Sequence, residues 1–240
     1  MVNTVPTETT EMRRHLLQAG LCASALACMP TSAAGGDQKL KELHPSKLVD
    51  RLGQPIKASA LSSTEPLVFN YPYVATPVFL ICLTQPPAAS ASNPDTRYSA
   101  LPGAGPQKNL VAFSAICSHR LMYPTPQISF INVRRGLSGE PSQVIHCCGD
   151  NSRYDPARGA SVISGPAPKA LAMVGLHWNP KDDSLDAIGI FGEDMFDRFF
   201  TKYALRLEME LGRRARKLTG PTTKASPPSG YSKQWQTCQV

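Results

Sequence analysis

An all-β domain of antiparallel sheets with one C-terminal amphipathic α-helix is the fold class this sequence predicts, and two features predict it. The chain carries 17 Gly and 22 Pro with a modest aromatic share of 7%, and these residues punctuate many short apolar runs. Apolar residues recur at helical spacing along one long stretch, residues 193–218. At 240 residues the chain can bury one substantial core or two small ones.

The N-terminus reads as an address. Met12-Arg13-Arg14-His15-Leu16-Leu17 opens a mildly apolar run to about Met29, followed by Pro30 and small residues up to Gly36. A basic pair, a short apolar region and a small-residue exit describe an export signal over 1–36, and adjacent arginines point to the twin-arginine route and a periplasmic destination. Cys28 is a candidate lipid anchor, although Ala25 stands where the lipid-attachment motif usually carries Leu. An amphipathic N-terminal helix is the alternative reading. No later segment is apolar for long enough to span a bilayer.

Residues 37–65 read as a polar leader. PLVFNYPYVATPVFLICLT (66–84) predicts one or two buried strands broken at Pro72 and Pro77. Residues 85–108 read as a loop. Short strands are then predicted at 109–116, 127–133, 142–147, 160–164, 170–178 and 185–191, completing a meandering β domain over 66–192. In the helix at 193–218, Phe196, Phe199, Phe200, Tyr203, Ala204, Leu207 and Leu211 trace one face. Glu193 and Asp194 occupy its first turn, and Arg213, Arg214, Arg216 and Lys217 its far end, as the helix dipole favours. That end is either the solvated tip of a helix packed on the β core or a docking element for a partner. Residues 219–240 read as an extended tail.

The net charge of +7 has a location: nine basic and two acidic residues lie from Arg198 onward, leaving sixteen of each before it. Aromatic residues are not interleaved with those charges as a nucleic-acid platform requires, which argues against nucleic-acid binding. After removal of the signal, Cys82, Cys117, Cys147, Cys148 and Cys238 remain. Five is odd, so complete pairing is impossible. A disulfide from Cys238 to Cys82 or Cys147 fits an oxidising compartment, but spacing cannot choose between them.

The residues that carry chemistry are Cys117-Ser118-His119 after one strand, IHCCGDNSRYDP at 145–156 after another, and Gly165-Pro166-Ala167-Pro168 beyond. Cys-x-His in one loop and Cys-x-x-His in a second is the ligand pattern of a Rieske [2Fe–2S] cluster, with thiolates on one iron and imidazoles on the other. In AICSH (115–119), CCGDNSRYD (147–155) and SGPAPKAL (164–171) the chain resembles the Rieske iron–sulfur family, over about residues 109–171. The resemblance implies that Ser152 bonds a bridging sulfide, Tyr154 bonds a cysteine sulfur, and Gly165–Pro168 cover the cluster.

The second histidine is absent. One register places Cys148 and Asn151 as the second ligand pair; a gapless one places Cys147 and Asp150. His146 is a further substitute, although as an alternating strand residue it is expected to face away. The disulfide that joins the two loops in some Rieske proteins is also missing, with Met122 at its first position and Gly149 or Asp150 at its second. The expected function is an exported electron-transfer protein or redox-complex subunit with an atypical [2Fe–2S] cluster, serving a cytochrome or a larger redox subunit. The alternative is a structural or docking subunit that keeps the fold without the cluster, or holds one zinc on Cys117, His119 and one or both of Cys147 and Cys148. No catalytic residue is assigned. The chain after the cluster region holds only His177, too few for the mononuclear iron site of a Rieske oxygenase, and it has no G-x-S-x-G nucleophile elbow.

Overall fold

Strands that bury side chains on both faces set the architecture. The computed structural model describes residue 1 and residues 40–88, 101–192 and 194–238. Residues 2–36 of the signal segment, with Cys28, and Glu193 lie outside the described residues. In chain order the strands are β1 (Lys41–Val49), β2 (Leu67–Asn70), β3 (Pro77–Cys82), β4 (Leu110–Ser114), β5 (Ile128–Ser129) and β6 (Ile131–Arg135). They continue as β7 (Gln143–Cys147), β8 (Ser152–Asp155), β9 (Ser161–Ser164), β10 (Met173–Asn179), β11 (Ser184–Ile190), β12 (Thr222–Lys224) and β13 (Gln234–Trp235). Three short helices follow the main β region: α1 (Asp194–Lys202), α2 (Ala204–Leu211) and α3 (Pro228–Tyr231).

A seven-stranded sheet runs in the order β12-β1-β11-β10-β4-β3-β2, and a four-stranded antiparallel sheet runs β6-β7-β8-β9. Because side chains alternate along a strand, each central strand feeds two cores. Val78 and Leu80 of β3, Leu110 and Ala112 of β4 and Val174 of β10 enter the core that also holds Phe196, Phe199, Phe200 and Leu207. Phe79, Ile81, Val111, Phe113 and Met173 enter a second core, shared with Ile131, Ile145, Cys147 and Tyr154 of the small sheet. Burial on both faces explains why β3 and β4 read as continuous apolar runs. The second core fixes the small sheet, and with it the loop between Cys147 and Ser152.

The all-β expectation holds, with three local corrections. The leader at 37–65 contains β1, which pairs antiparallel with β11 and parallel with β12. Its polar sequence, with a bulge between Glu42 and Ser46, becomes a strand because distant partners take its backbone hydrogen bonds. The tail at 219–240 is likewise not simply extended: it supplies β12, α3 and β13, and β13 pairs with β5. Ser152–Asp155 forms strand β8.

The single helix at 193–218 divides. It breaks at Tyr203 and ends where Gly212 adopts φ 57°, so Arg213, Arg214, Arg216 and Lys217 lie beyond the α-helical segment. Tyr203 sits at the break with its ring 5.0 Å from Tyr123 and 5.4 Å from Phe199. Among the described residues, no helix is long and apolar enough to cross a membrane.

Phe199 is fully buried and meets Tyr123 edge-on at 4.9 Å between centroids. Phe199→Ala should cost about 3–5 kcal/mol in urea unfolding, the range for deleting a buried aromatic ring. A loss under 1 kcal/mol would mean that α1 does not depend on this core.

Candidate metal centre

Two loops meet at one end of the second core. Past β4, the Cys117 N–H donates to the Met122 carbonyl at 2.9 Å and the Leu121 N–H to the Cys117 carbonyl at 2.9 Å, closing a tight loop around Cys117, Ser118 and His119. The second loop joins β7 to β8, whose ends Cys147 and Ser152 face each other in register. The Ser152 N–H donates to Asp150 Oδ1 at 3.0 Å, an Asx-type turn. Asn151 takes φ 60°, the left-handed region that asparagine tolerates better than most residues.

The side chains converge in two pairs. Cys117 and Cys147 are fully buried, with their sulfurs within 4.8 Å of each other. His119 Nδ1 lies 3.0 Å from Asp150 Oδ2, and Cys117 Sγ lies 3.2 Å from the same oxygen. The donor atoms of Cys117, Cys147 and Asp150 all fall within 4.8 Å of one another. The Asp150 side chain is 1% exposed and that of His119 35%, so the imidazole is the donor that meets solvent.

Electrostatics follow from this crowding. A hydrogen bond from Cys147 lowers the Cys117 thiol pKa, while giving that bond and being buried raise that of Cys147. Burial pushes the Asp150 carboxyl up, but hydrogen bonds from the Ser152 N–H and the Cys117 thiol outweigh it and hold it below its ordinary range. Burial raises the pKa of Tyr154, whose hydroxyl lies 3.4 Å from Cys117 Sγ and 3.2 Å from Ser118 Oγ. Ser118 Oγ in turn donates to the Lys169 carbonyl at 2.6 Å, tying the first loop to the segment after Gly165–Pro168.

The fold brings one of the two candidate pairs beside Cys117 and His119. Cys148 is in a disulfide with Cys238, with an S–S distance of 2.05 Å. Asn151 Oδ1 lies 2.6 Å from His146 Nε2, and Arg134 Nε donates to His146 Nδ1 at 3.0 Å. An acceptor role at Nδ1 leaves Nε2–H as the donor to Asn151. Burial lowers the His146 pKa, which keeps the ring neutral in this role. Cys148, Asn151 and His146 are therefore committed elsewhere, and the pair facing Cys117 and His119 is Cys147 and Asp150. The disulfide also corrects both pairings considered for Cys238, since Cys82 and Cys147 are free thiols.

Glycines allow the loops to close. A Cβ on Gly149 would lie 1.9 Å from Met122 Sδ, so Met122 packs against Gly149 where a loop-to-loop disulfide was expected to be lacking. Gly165 has φ 93°, and a Cβ there would fall 2.6 Å from the Asn151 carbonyl oxygen and 2.6 Å from Ser152 Cα. The Gly165–Pro168 segment thus reaches the second loop at its first residue. Of the remaining predicted residues, Ser152 is buried and its Oγ makes no standard hydrogen bond. Arg213, Arg214, Arg216 and Lys217 are exposed and lie outside the centre.

Sequence reasoning missed the His146–Asn151 lock and the C-terminal strap. The adjacent cysteines and their odd number were the available signals for the strap, but they left its pairing open. No protein-family model matches the chain. It is 29% identical over 180 residues, 75% of this chain and 81% of the relative, to the iodate reductase subunit IdrB of Denitromonas iodatirespirans. The Cys-x-His loop faces a Cys-x-x-Asp loop, with Tyr154 on the first sulfur and Gly165 seated on the second loop. In these features the chain is similar to Rieske-type proteins. Among solved structures, the soluble domain of Rieske protein II from Sulfolobus acidocaldarius superposes with a TM-score of 0.45 and 25% identity, covering 63% of this chain and 82% of that one.

Two predictions test the supports of the centre. Cys238→Ser should free the Cys148 thiol to thiol reagents and lower stability by about 2–5 kcal/mol, as expected for a native disulfide closing a long loop. Unchanged urea unfolding would show that the strap carries no stability. Glu140 accepts from both Arg134 nitrogens and from Arg153, and the Arg134 bond holds its pKa at about 2 instead of 4.5. Stability from this depressed pKa is present above pH 4.5 and is lost as pH falls toward 2. Glu140→Gln should flatten that acid limb in pH-dependent denaturation; a limb of unchanged slope would assign it to other carboxylates.

Proposed function

We propose that this protein is the electron-transfer subunit of a redox complex, carrying a [2Fe–2S] cluster on Cys117, Cys147, His119 and Asp150. The observation that carries this reading is the donor pairing. Two buried sulfurs face each other, and an imidazole nitrogen lies beside a carboxylate oxygen, as a cluster with one thiolate-held iron and one N/O-held iron requires. The buried Ser152 hydroxyl without a partner supports the fit, because an unmet buried donor implies an acceptor to be supplied. When bound, the cluster supplies reversible one-electron chemistry.

The chain's own residues have defined tasks around it. Tyr154 offers its hydroxyl to the Cys117 sulfur, and Ser118 holds that hydroxyl through its bond to Lys169. Asp150 adds a negative charge where a second histidine would be neutral, which stabilises the oxidised state and lowers the potential. His119, the solvent-facing donor, marks where electrons enter and leave. The relative's role as a subunit of a reductase supports membership of a larger complex. The twin-arginine segment supports export to the periplasm.

A second reading has an observation of its own. Donor atoms of Cys117, Cys147 and Asp150 within 4.8 Å also suit a single tetrahedral zinc. Metal and labile-sulfide analysis separates the two: about two iron and two sulfide per chain supports the cluster, and one zinc without sulfide supports the alternative.

EPR of the dithionite-reduced protein tests the ligand set. Asp150→His should move the signal toward that of a two-histidine Rieske centre and raise the midpoint potential. Asn151→His should change neither in that direction. If Asn151→His gives the two-histidine signature instead, the Cys147–Asp150 register is wrong.

A further inference from the structure

The helical side of the molecule carries an exposed face that the metal centre does not use. On α2, Leu205 is 76% exposed and Met209 73% exposed. They lie four residues apart, one turn along the same face, while Leu207 between them is buried in the core. Leu218, beyond the helix in a bridge to Tyr73, is exposed at 51% but does not belong to this helix face. Large apolar side chains clustered on one helix face are unusual outside interaction sites, whereas scattered ones need no explanation.

The surroundings of this face are strongly basic. Residues 198–218 hold Arg198, Lys202, Arg206, Arg213, Arg214, Arg216 and Lys217 against Glu208 and Glu210. Glu210 is engaged internally by Arg206 at 2.8 Å. Arg216 lies over the Phe200 ring at 4.5 Å, which anchors the basic turn beyond Gly212 to the α1 side of the core. Arg213 and Arg214 remain exposed.

The same face adjoins the metal centre. Lys202, at the end of α1, donates to the Arg120 carbonyl at 2.6 Å, one residue beyond His119. Tyr203, two residues before Leu205, meets the Tyr123 ring at 5.0 Å between centroids. Arg206 lies over the Tyr123 ring at 5.7 Å, and Tyr123 follows the 117–122 loop directly. A partner seated on α2 therefore covers ground that begins beside the exposed imidazole.

We infer that Leu205 and Met209 form the apolar centre, and Lys202, Arg213 and Arg214 the basic rim, of a docking surface for an acidic redox protein. This inference rests on the electron-transfer reading and names its partner's chemistry. An apolar centre within a charged rim is the usual anatomy of a protein interface. The basic rim steers association with an acidic partner and makes its rate depend on salt.

The test uses stopped-flow electron transfer from the reduced full-length protein to two soluble c-type cytochromes of similar potential, one acidic and one basic. The acidic acceptor should react faster, with a rate that falls as salt rises. The double variant L205E/M209E should lower that second-order rate at least tenfold with an unchanged EPR spectrum. Leu52→Glu, at a residue 85% exposed in the turn after β1, should leave it unchanged. Equal rates for the two acceptors, or a double variant within twofold of the parent, would overturn the docking surface. A chain without an EPR signal overturns the electron-transfer reading instead. The surface is then tested by calorimetric binding of the acidic cytochrome: salt-sensitive binding lost in L205E/M209E supports it, and no binding overturns it.

Discussion

The turn between Cys147 and Ser152 is the constraint on which the site depends. Four residues connect two paired strand ends, and a slip of one position would present a different pair of donors. The protein removes that freedom by using the competing residues elsewhere. Cys148 is bonded to Cys238, and Asn151 is held by His146, which is itself held by Arg134. Cys147 and Asp150 are the donors left facing Cys117 and His119. The register is thus set by what surrounds the turn as much as by the turn itself.

This lock extends well beyond the site. Glu140 accepts bonds from Arg134 and Arg153, so strands β6, β7 and β8 are joined by one ionic network that ends on His146. On the other side, the Asn132 amide donates to the Gln236 carbonyl at 2.6 Å, and β13 pairs with β5. The C-terminal strap is therefore fastened by backbone pairing, a side-chain bond and a disulfide. It reaches the second metal loop from outside, while Met122 packed on Gly149 is what lies between the two loops themselves. In this protein the cross-link that secures the second loop runs to the C-terminus.

Asp150, where the Rieske pattern carries histidine, changes the electrostatics of this group of side chains. The carboxylate is buried, receives the Ser152 N–H and faces His119. Its charge has partners, which makes burial tolerable. Burial of Cys117 and Cys147 concentrates further negative charge in the same space once their protons are displaced. Such a charge-rich, water-poor site favours a cationic occupant. The single solvent-facing donor, His119, lies beside the basic helical face, so the chemistry and the partner surface share one edge of the molecule.

Much of this was legible in the sequence, because local signals carry it. Turn residues between short apolar runs gave the β architecture, and fixed spacing within AICSH and CCGDNSRYD gave the two loops, since ligand spacing in a tight turn is a local property. The Asp150 register was legible only as one of two. Tertiary structure places Cys147 and Asp150 beside Cys117 and His119, through contacts that include Cys148 with Cys238 at 90 residues and Arg134 with His146 across β6 and β7. It also made strands of the polar stretch 41–49 and the tail at 222–224, where neither has an apolar pattern and each depends on the other's backbone. Local spacing can state which side chains are available to a site; only the packed chain states which of them are already taken.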